Sequence, residues 1–75
     1  MKELLNIIVT NLVDNKAAIK INERQENDIT ILELSVSNED VGKVIGKQGK
    51  IAKAIRTVLK SAASYENKKV IVKIV

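Results

Sequence analysis

The stretch that most constrains the fold is 44–55, which reads VIGKQGKIAKAI. It holds two of the chain's three glycines, Gly46 and Gly49, with only Lys47 and Gln48 between them. Apolar residues recur at helical spacing after the pair, whereas glycine within a helix is destabilising. The sequence therefore predicts two helices that meet at this glycine pair in a very short corner.

The helix before the corner is predicted to be short. Ser37 or Asn38 can cap it, and Glu39 and Asp40 suit the positive end of its dipole. Gly46 then ends it within about two turns.

The helix after the corner is predicted from Lys50 to about Ser64. Its apolar side is given by residues at helical spacing: Ile51, Ile55, Val58, Leu59 and Ala62. A mostly basic set lies on nearly the opposite side: Lys50, Lys53, Arg56, Thr57 and Lys60. The helix is therefore predicted to be amphipathic, with one side in the core.

Apolar spacing predicts the remaining elements. An N-terminal amphipathic helix is predicted over about Lys2–Asp14. Alternation at Ile19 and Ile21, and again over Thr30–Val36, is typical of two strands of a hairpin, with the polar RQENDI as a longer loop. The C-terminal KKVIVKIV is rich in β-branched residues, which predicts a strand buried on both faces or nearly so.

These elements follow one another in the order α-β-β-α-α-β. At 75 residues the chain is predicted to form one domain, residues 1–75, in which three strands pack against three helices as a two-layer α+β fold. No signal peptide and no membrane-spanning stretch is visible, so a soluble cytoplasmic protein is expected.

Composition excludes several kinds of chemistry. The chain has neither Cys nor His, so disulfides, common zinc sites and Cys- or His-based catalysis are excluded. Gly42, Gly46 and Gly49 give G-x₃-G-x₂-G, which is neither the dinucleotide fingerprint nor a P-loop. No nucleophile–base pair is visible. We expect a protein that is not an enzyme and that uses no metal or cofactor.

Charge is divided unequally along the chain. Residues 1–40 carry four basic and eight acidic side chains, whereas residues 41–75 carry nine basic side chains and one acidic side chain, Glu66. This asymmetry favours a polyanionic partner on one face. The glycine pair lies in the basic half, where it can be either a plain helical corner or a phosphate site, since glycines and a helix N-terminus admit an anion closely.

The segment VIGKQG between two helices resembles the GXXG signature of KH domains, which bind single-stranded nucleic acid. The element order is similar to that of type II KH domains. A KH domain of this length with EDVGKVIGKQGKIAKAIRTVLKSAA resembles the KhpA (YlqC) family of small bacterial RNA-binding proteins. The resemblance covers the whole chain.

The resemblance implies an RNA-binding role for specific residues. Gly46, Lys47, Gln48 and Gly49 would hold the sugar-phosphate backbone, and Val41, Val44 and Ile45 would line one side of a groove. Part of the second strand, around Ile31–Leu34, would line the other side. General attraction to phosphates would come from three further lysines: Lys43, Lys50 and Lys53. In one departure from the family pattern, Ala52 stands where many KH domains have a large aliphatic residue.

The same resemblance implies an RNA chaperone-like regulator linked to cell shape and division. It implies a homodimer and a complex with a larger KH protein, KhpB (also called Jag or EloR). The alternative function is a protein-interaction or dimerisation module whose KH surface contacts a protein. Tyr65 is the only aromatic residue, so RNA binding is expected to be weak, sensitive to salt and only modestly selective.

Overall fold

A computed structural model describes residues 1–75. Its helices are α1 (Lys2–Thr10), α2 (Val41–Ile45) and α3 (Lys50–Tyr65), and its strands are β1 (Lys20–Glu26), β2 (Ile29–Ser35) and β3 (Lys69–Ile74). The predicted order α-β-β-α-α-β is confirmed. Short 3₁₀ turns occupy Lys16–Ala18, Asn38–Asp40 and Lys47–Gly49. None of the helices is both long and apolar enough to cross a membrane.

The three strands form one sheet with β2 at its centre. β1 runs antiparallel to β2, whereas β3 runs parallel to it, as the intervening helices α2 and α3 permit. The β1–β2 pairing extends from Lys20↔Ser35 to Glu26↔Ile29. The hairpin loop is therefore only Asn27–Asp28, and the expectation of a longer loop over RQENDI is wrong, because backbone pairing continues through residues that are exposed on both faces.

β3 lies at the edge of the sheet and has one buried and one exposed face, so the prediction that it is buried on both faces is wrong. Val70 and Val72 point into the core, while Lys69, Ile71 and Lys73 lie on the open face of the sheet. The helices cover only one face, which leaves the other side of every strand without a second layer. β-branched composition alone does not distinguish an edge strand from a central one.

The core lies between the sheet and the helices. Its buried apolar residues are Leu5, Val9, Val13, Leu32, Leu34, Val36, Val44, Ile55, Leu59, Ala63, Val70 and Val72. The buried side of α3 is centred on Ile55 and Leu59, flanked by the buried Ala52 and Ala63. Val58, predicted on the apolar side, is 46% exposed instead. The inward-facing alanines are small enough to let α3 lie close to the sheet.

Helix α1 ends at Thr10 rather than near Asp14 because polar groups terminate it. Thr10 Oγ1 and Asn11 Nδ2 donate to the carbonyls of Asn6 and Ile7, 2.6 and 2.8 Å away. The chain then turns, and Val13 is buried in the core. Beyond this turn the backbone N–H groups of residues 14 and 15 require partners from elsewhere in the fold.

Asp40 supplies those partners and joins the end of α1 to the start of α2. Asp40 is 2% exposed, and its carboxylate accepts the N–H groups of Asp14 and Asn15 at 3.3 and 3.0 Å. Ser37 Oγ donates to the same carboxylate at 3.0 Å, and Lys43 Nζ lies 3.4 Å from it. Ser37 occupies the N-cap position of the 3₁₀ turn that leads into α2, as predicted, but its side chain caps no backbone N–H and donates to Asp40 instead.

This environment shifts the ionisation of Asp40. The hydrogen bond from the Asn15 N–H, aided by those from Asp14, Ser37 and Lys43, lowers the pKa of Asp40 from 3.8 to about 2. Because the folded-state pKa is the lower one, the charged carboxylate stabilises the fold at pH values above 3.8. That stabilisation is lost as the pH falls towards 2.

We therefore expect Asp40→Asn to lower the free energy of unfolding at pH 7, since an amide presents a donor where the carboxylate accepts N–H groups. The difference from the unsubstituted protein should narrow as the pH falls from about 4 to about 2. Urea unfolding at several pH values measures it. Glu39→Gln, at an exposed neighbour, is the control and should show no such trend. A difference for Asp40→Asn that stays constant down to pH 2 contradicts this account.

Candidate nucleic-acid interface

The predicted corner is a single 3₁₀ turn that ends α2 and begins α3. The Gly46 N–H donates to Gly42 O at 2.8 Å and closes α2, and the Gly49 N–H donates to Gly46 O at 3.2 Å. Three of the four residues of the turn have positive φ values: 75° at Gly46, 56° at Gln48 and 75° at Gly49. The backbone therefore reverses sharply and turns the side chains of Lys47 and Gln48 outward, where both are exposed.

The two glycines are needed for different reasons. Gly46 combines φ 75° with ψ 176°, a region that only glycine occupies readily. A Cβ atom there would overlap the side chain of Ile51 and lie 2.9 Å from its backbone nitrogen. Gly49 is left-handed (φ 75°, ψ 15°), and an added Cβ would meet nothing within 4 Å. Gly46 lets the helices pack together, whereas Gly49 leaves open space beside the start of α3.

That open space lies at the positive end of the longest helix. α3 begins at Lys50, has no acidic residue in its first turn, and has no side chain capping its first N–H groups. Helix N-termini of this kind favour anions. Lys47, Lys50 and Lys53 are all exposed around it, and none of them takes part in a salt bridge. The loop therefore combines close backbone access with uncompensated positive charge.

The structure separates the other residues predicted for the site. Ile45 is 37% exposed beside the loop, and Val41 is partly buried against the core. Val44 has no exposed surface, so its side chain supports the loop from within and does not line a groove. Ala52 is also buried, so its small side chain faces the interior.

Lys43 differs from the other predicted lysines because it is already paired. Its ammonium group forms an ion pair with Asp14 and lies 3.4 Å from Asp40. The hydrogen bond to Asp14 and the charge of both carboxylates raise the pKa of Lys43. Its charge is therefore balanced within the protein, and it is less available to a phosphate than Lys47 or Lys50.

The second wall of the groove is the free edge of β3, not the second strand. Leu32 and Leu34 are fully buried, and β2 is paired on both sides, so it offers neither side chains nor backbone groups there. The N–H groups of Lys69 and Val75 point towards β2, where they donate to the carbonyls of Asp28 and Leu34. Because backbone groups alternate in direction along a strand, those of Val70, Val72 and Ile74 point to the free edge. A shallow groove follows this edge beside α3.

Arg56 is a groove residue that sequence reasoning did not assign to the site. Its Nε donates to Val72 O at 3.2 Å, so the guanidinium lies across the free edge of β3. The groove at this point is lined by Arg56, Lys60, Val70, Ile71 and Val72. A signal existed in the helical periodicity, which places Arg56 near the border of the buried side of α3. Periodicity could not predict that Arg56 contacts β3, because its partner Val72 lies 16 residues away in the sequence.

Comparison with known proteins then decides the family. The family model described as "KhpA/KhpB, KH domain" matches residues 2–74. The chain belongs to the KhpA/KhpB KH-domain family. The resemblance noted from the segment VIGKQG and the element order is thereby confirmed.

Curated relatives agree with the family match. The RNA-binding protein KhpA of Clostridium perfringens is 60% identical over 75 residues, and that of Clostridium acetobutylicum is 55% identical; both alignments cover all of both chains. The RNA-binding protein KhpA of Chlamydia pneumoniae is 50% identical over 93% of this chain and 90% of its own. No solved structure matches the chain.

The two glycines should respond differently to the same substitution. Gly46→Ala should lower the free energy of unfolding by about 2–5 kcal/mol, since backbone strain adds to overlap with Ile51. Gly49→Ala should cost only about 1 kcal/mol, the cost of a left-handed alanine in open space. Urea denaturation of the two variants gives the comparison. Equal losses would contradict the distinct roles assigned to the two glycines.

Proposed function

We propose that residues 1–75 act as one KH domain that binds single-stranded RNA without catalysing a reaction. The observation that carries the proposal is the open, basic GXXG turn at the uncapped start of α3. The relatives that resemble the chain, each named an RNA-binding protein, support it. A clamp for about four nucleotides is the mode of binding that such a loop provides.

In this proposal the phosphate backbone crosses the GXXG turn. Gly46 and Gly49 allow close approach, Lys47 and Gln48 contact the backbone from outside, and the α3 N-terminus attracts phosphate oxygens. Lys50 and Lys53 add charge along the first turns of α3. Ile45 and part of Val41 give apolar contact next to the loop.

The nucleotides that follow lie between α3 and the edge of β3. Arg56 would contact them, since its planar guanidinium can bind a phosphate or stack on a base. The only aromatic residue, Tyr65, is at the far end of α3, so stacking on aromatic rings is not available beside the loop. Binding therefore depends on charge and on backbone contacts, which are insensitive to base identity.

Such binding suits a regulator that handles many RNAs. Weak, salt-sensitive and weakly selective contacts allow rapid exchange, as an RNA chaperone requires. We propose this role in the bacterial cytoplasm, with effects on cell shape and division exerted through RNA. Lys43 and Val44 are left out of the direct contacts, because Lys43 is paired with carboxylates and Val44 is buried.

The test is fluorescence anisotropy with a labelled single-stranded RNA at several salt concentrations. Lys47→Asp with Gln48→Asp should weaken binding at least about tenfold, since it replaces phosphate contacts by repulsion. Aspartate tolerates the left-handed backbone at position 48, so the loop should keep its shape. Lys2→Asp with Asn6→Asp makes the same change of charge on exposed positions of α1 and is the control.

Equal weakening by the two pairs of substitutions would show that net charge, not the loop, attracts the RNA. Unchanged binding by the loop variant would remove the GXXG turn from the site. Circular dichroism and urea unfolding establish that both variants fold like the unsubstituted chain.

A second candidate function is protein association, favoured by an exposed apolar flank on α3. Val58 is 46% exposed and Tyr65 is 90% exposed. Val58 and Lys60 are about 200° apart around the helix, so this flank lies away from the groove beside β3. We propose it as the contact for a second copy or for a KhpB-type protein. RNA and a protein partner could then bind together.

Light scattering over a range of concentrations tests this association. Val58→Glu should convert a dimer to a monomer without weakening RNA binding, because a buried unpaired carboxylate is costly at an apolar interface. Ile7→Glu is the matched control: Ile7 is also exposed, but it lies on α1. A chain that is monomeric at every concentration, or equal effects of the two substitutions, contradicts this use of the α3 flank in self-association.

A further inference from the structure

The groove beside β3 continues past the residues assigned to the clamp. Beyond Arg56 and Val72 it reaches Lys60 on α3, and there it joins a second depression that shares Lys60, Val70 and Ile71 with it. Three lysines stand at this far end: Lys60, Lys68 and Lys69. Ile29, Val70 and Ile71 supply the apolar part of its lining.

The lysines of the far end are not neutralised by ion pairs. None of Lys60, Lys68 and Lys69 takes part in a salt bridge, in contrast to Lys43. Asp28 and Glu66 are the acidic residues nearby, in an adjoining polar depression that also touches Lys68. With Arg56 counted, the far end carries four positive charges against these two negative ones, so it attracts an anion.

The distance from the loop decides which part of an RNA could reach this end. Lys50 and Lys60 are ten residues apart on one helix, which separates them by about 15 Å along its axis. A strand advances about 3.4 Å per nucleotide when its bases are stacked, and more when it is extended, so about four nucleotides at most span this distance. A strand that fills the clamp from the GXXG turn and follows the groove would therefore arrive at Lys60 with its next nucleotides.

We propose that the far end formed by Lys60, Lys68 and Lys69 is a second phosphate-binding site, which holds the same RNA strand beyond the four nucleotides in the clamp. The inference rests on the proposed clamp, because the far end is continuous with the groove at Arg56, which the clamp is proposed to use. The occupant follows from charge complementarity and from continuity: the ligand is a polyanion that is already anchored at the other end of α3.

The chemistry of the site predicts what it adds. Lysine ammonium groups act as point charges and read no base edge. The far end therefore increases affinity for longer strands and the salt dependence of binding, but it adds no sequence preference. Each neutralised phosphate on a single strand contributes about 0.7 to the slope of log K against log salt concentration.

The experiment compares a 5-nucleotide and a 12-nucleotide single-stranded RNA by fluorescence anisotropy. The test variant is Lys60→Gln with Lys68→Gln and Lys69→Gln. The control variant neutralises three exposed lysines of the acidic half: Lys2→Gln, Lys16→Gln and Lys20→Gln. The quantity compared is each protein's affinity for the 12-nucleotide RNA divided by its affinity for the 5-nucleotide RNA. The longer RNA offers more binding positions, but this factor is the same for every variant and does not affect the comparison.

We expect the test variant to reduce this ratio at least about fivefold and to lower the salt slope for the longer RNA by about 2. Affinity for the 5-nucleotide RNA should change less than twofold, and the control variant should keep the ratio of the unsubstituted chain. A ratio unchanged in the test variant, or reduced equally in both variants, overturns the second site.

Failure of the clamp gives a different pattern. If Lys47→Asp with Gln48→Asp leaves affinity for the 5-nucleotide RNA unchanged, the proposed GXXG clamp is wrong, whatever the lysine variants do. If that double variant loses the short RNA but the Lys60, Lys68 and Lys69 variant keeps the unsubstituted ratio, the clamp stands and the second site fails.

Discussion

Gly46 lies so close to Ile51 that no side chain fits between them, and the rest of the interface depends on this contact. It brings the end of α2 against the first turn of α3, which leaves only Lys47 and Gln48 to bridge the helices. A bridge that short must use left-handed backbone, which directs both side chains outward. Any larger residue at Gly46 would separate the helices and displace the α3 N-terminus from the turn.

The position of α2 is fixed in turn by Asp40. Because α2 is only five residues long, it cannot form a stable helix alone and must be held by the fold around it. Asp40 ties it to the chain after α1, and Lys43 completes the same cluster. Lys43 thus helps to hold α2 in place, whereas the lysines of the loop and of α3 have no carboxylate partners.

The element order and the position of the helical corner could be predicted from the sequence because their signals are local. Helical and alternating periodicity indicated the order of the six elements, and the two glycines indicated the corner and the family. Predictions failed where a residue's surroundings come from distant segments. Asp40 looked like a helix-start residue, although its partners lie 25 and 26 residues away. Lys43 was predicted to attract phosphates, but the fold places Asp14 beside it and the two form an ion pair.

The strand beside the groove shows the same limit. The β-branched residues of KKVIVKIV indicate a strand but not its position in the sheet, which is decided by topology, here the order β1-β2-β3. The edge position matters because an exposed edge offers unpaired backbone groups, and another strand can pair with these groups if nothing covers them. Arg56 covers one of these carbonyls and places charge along the same edge. The Arg56 side chain thus leaves one acceptor fewer for another strand to pair with, and it adds positive charge beside the groove.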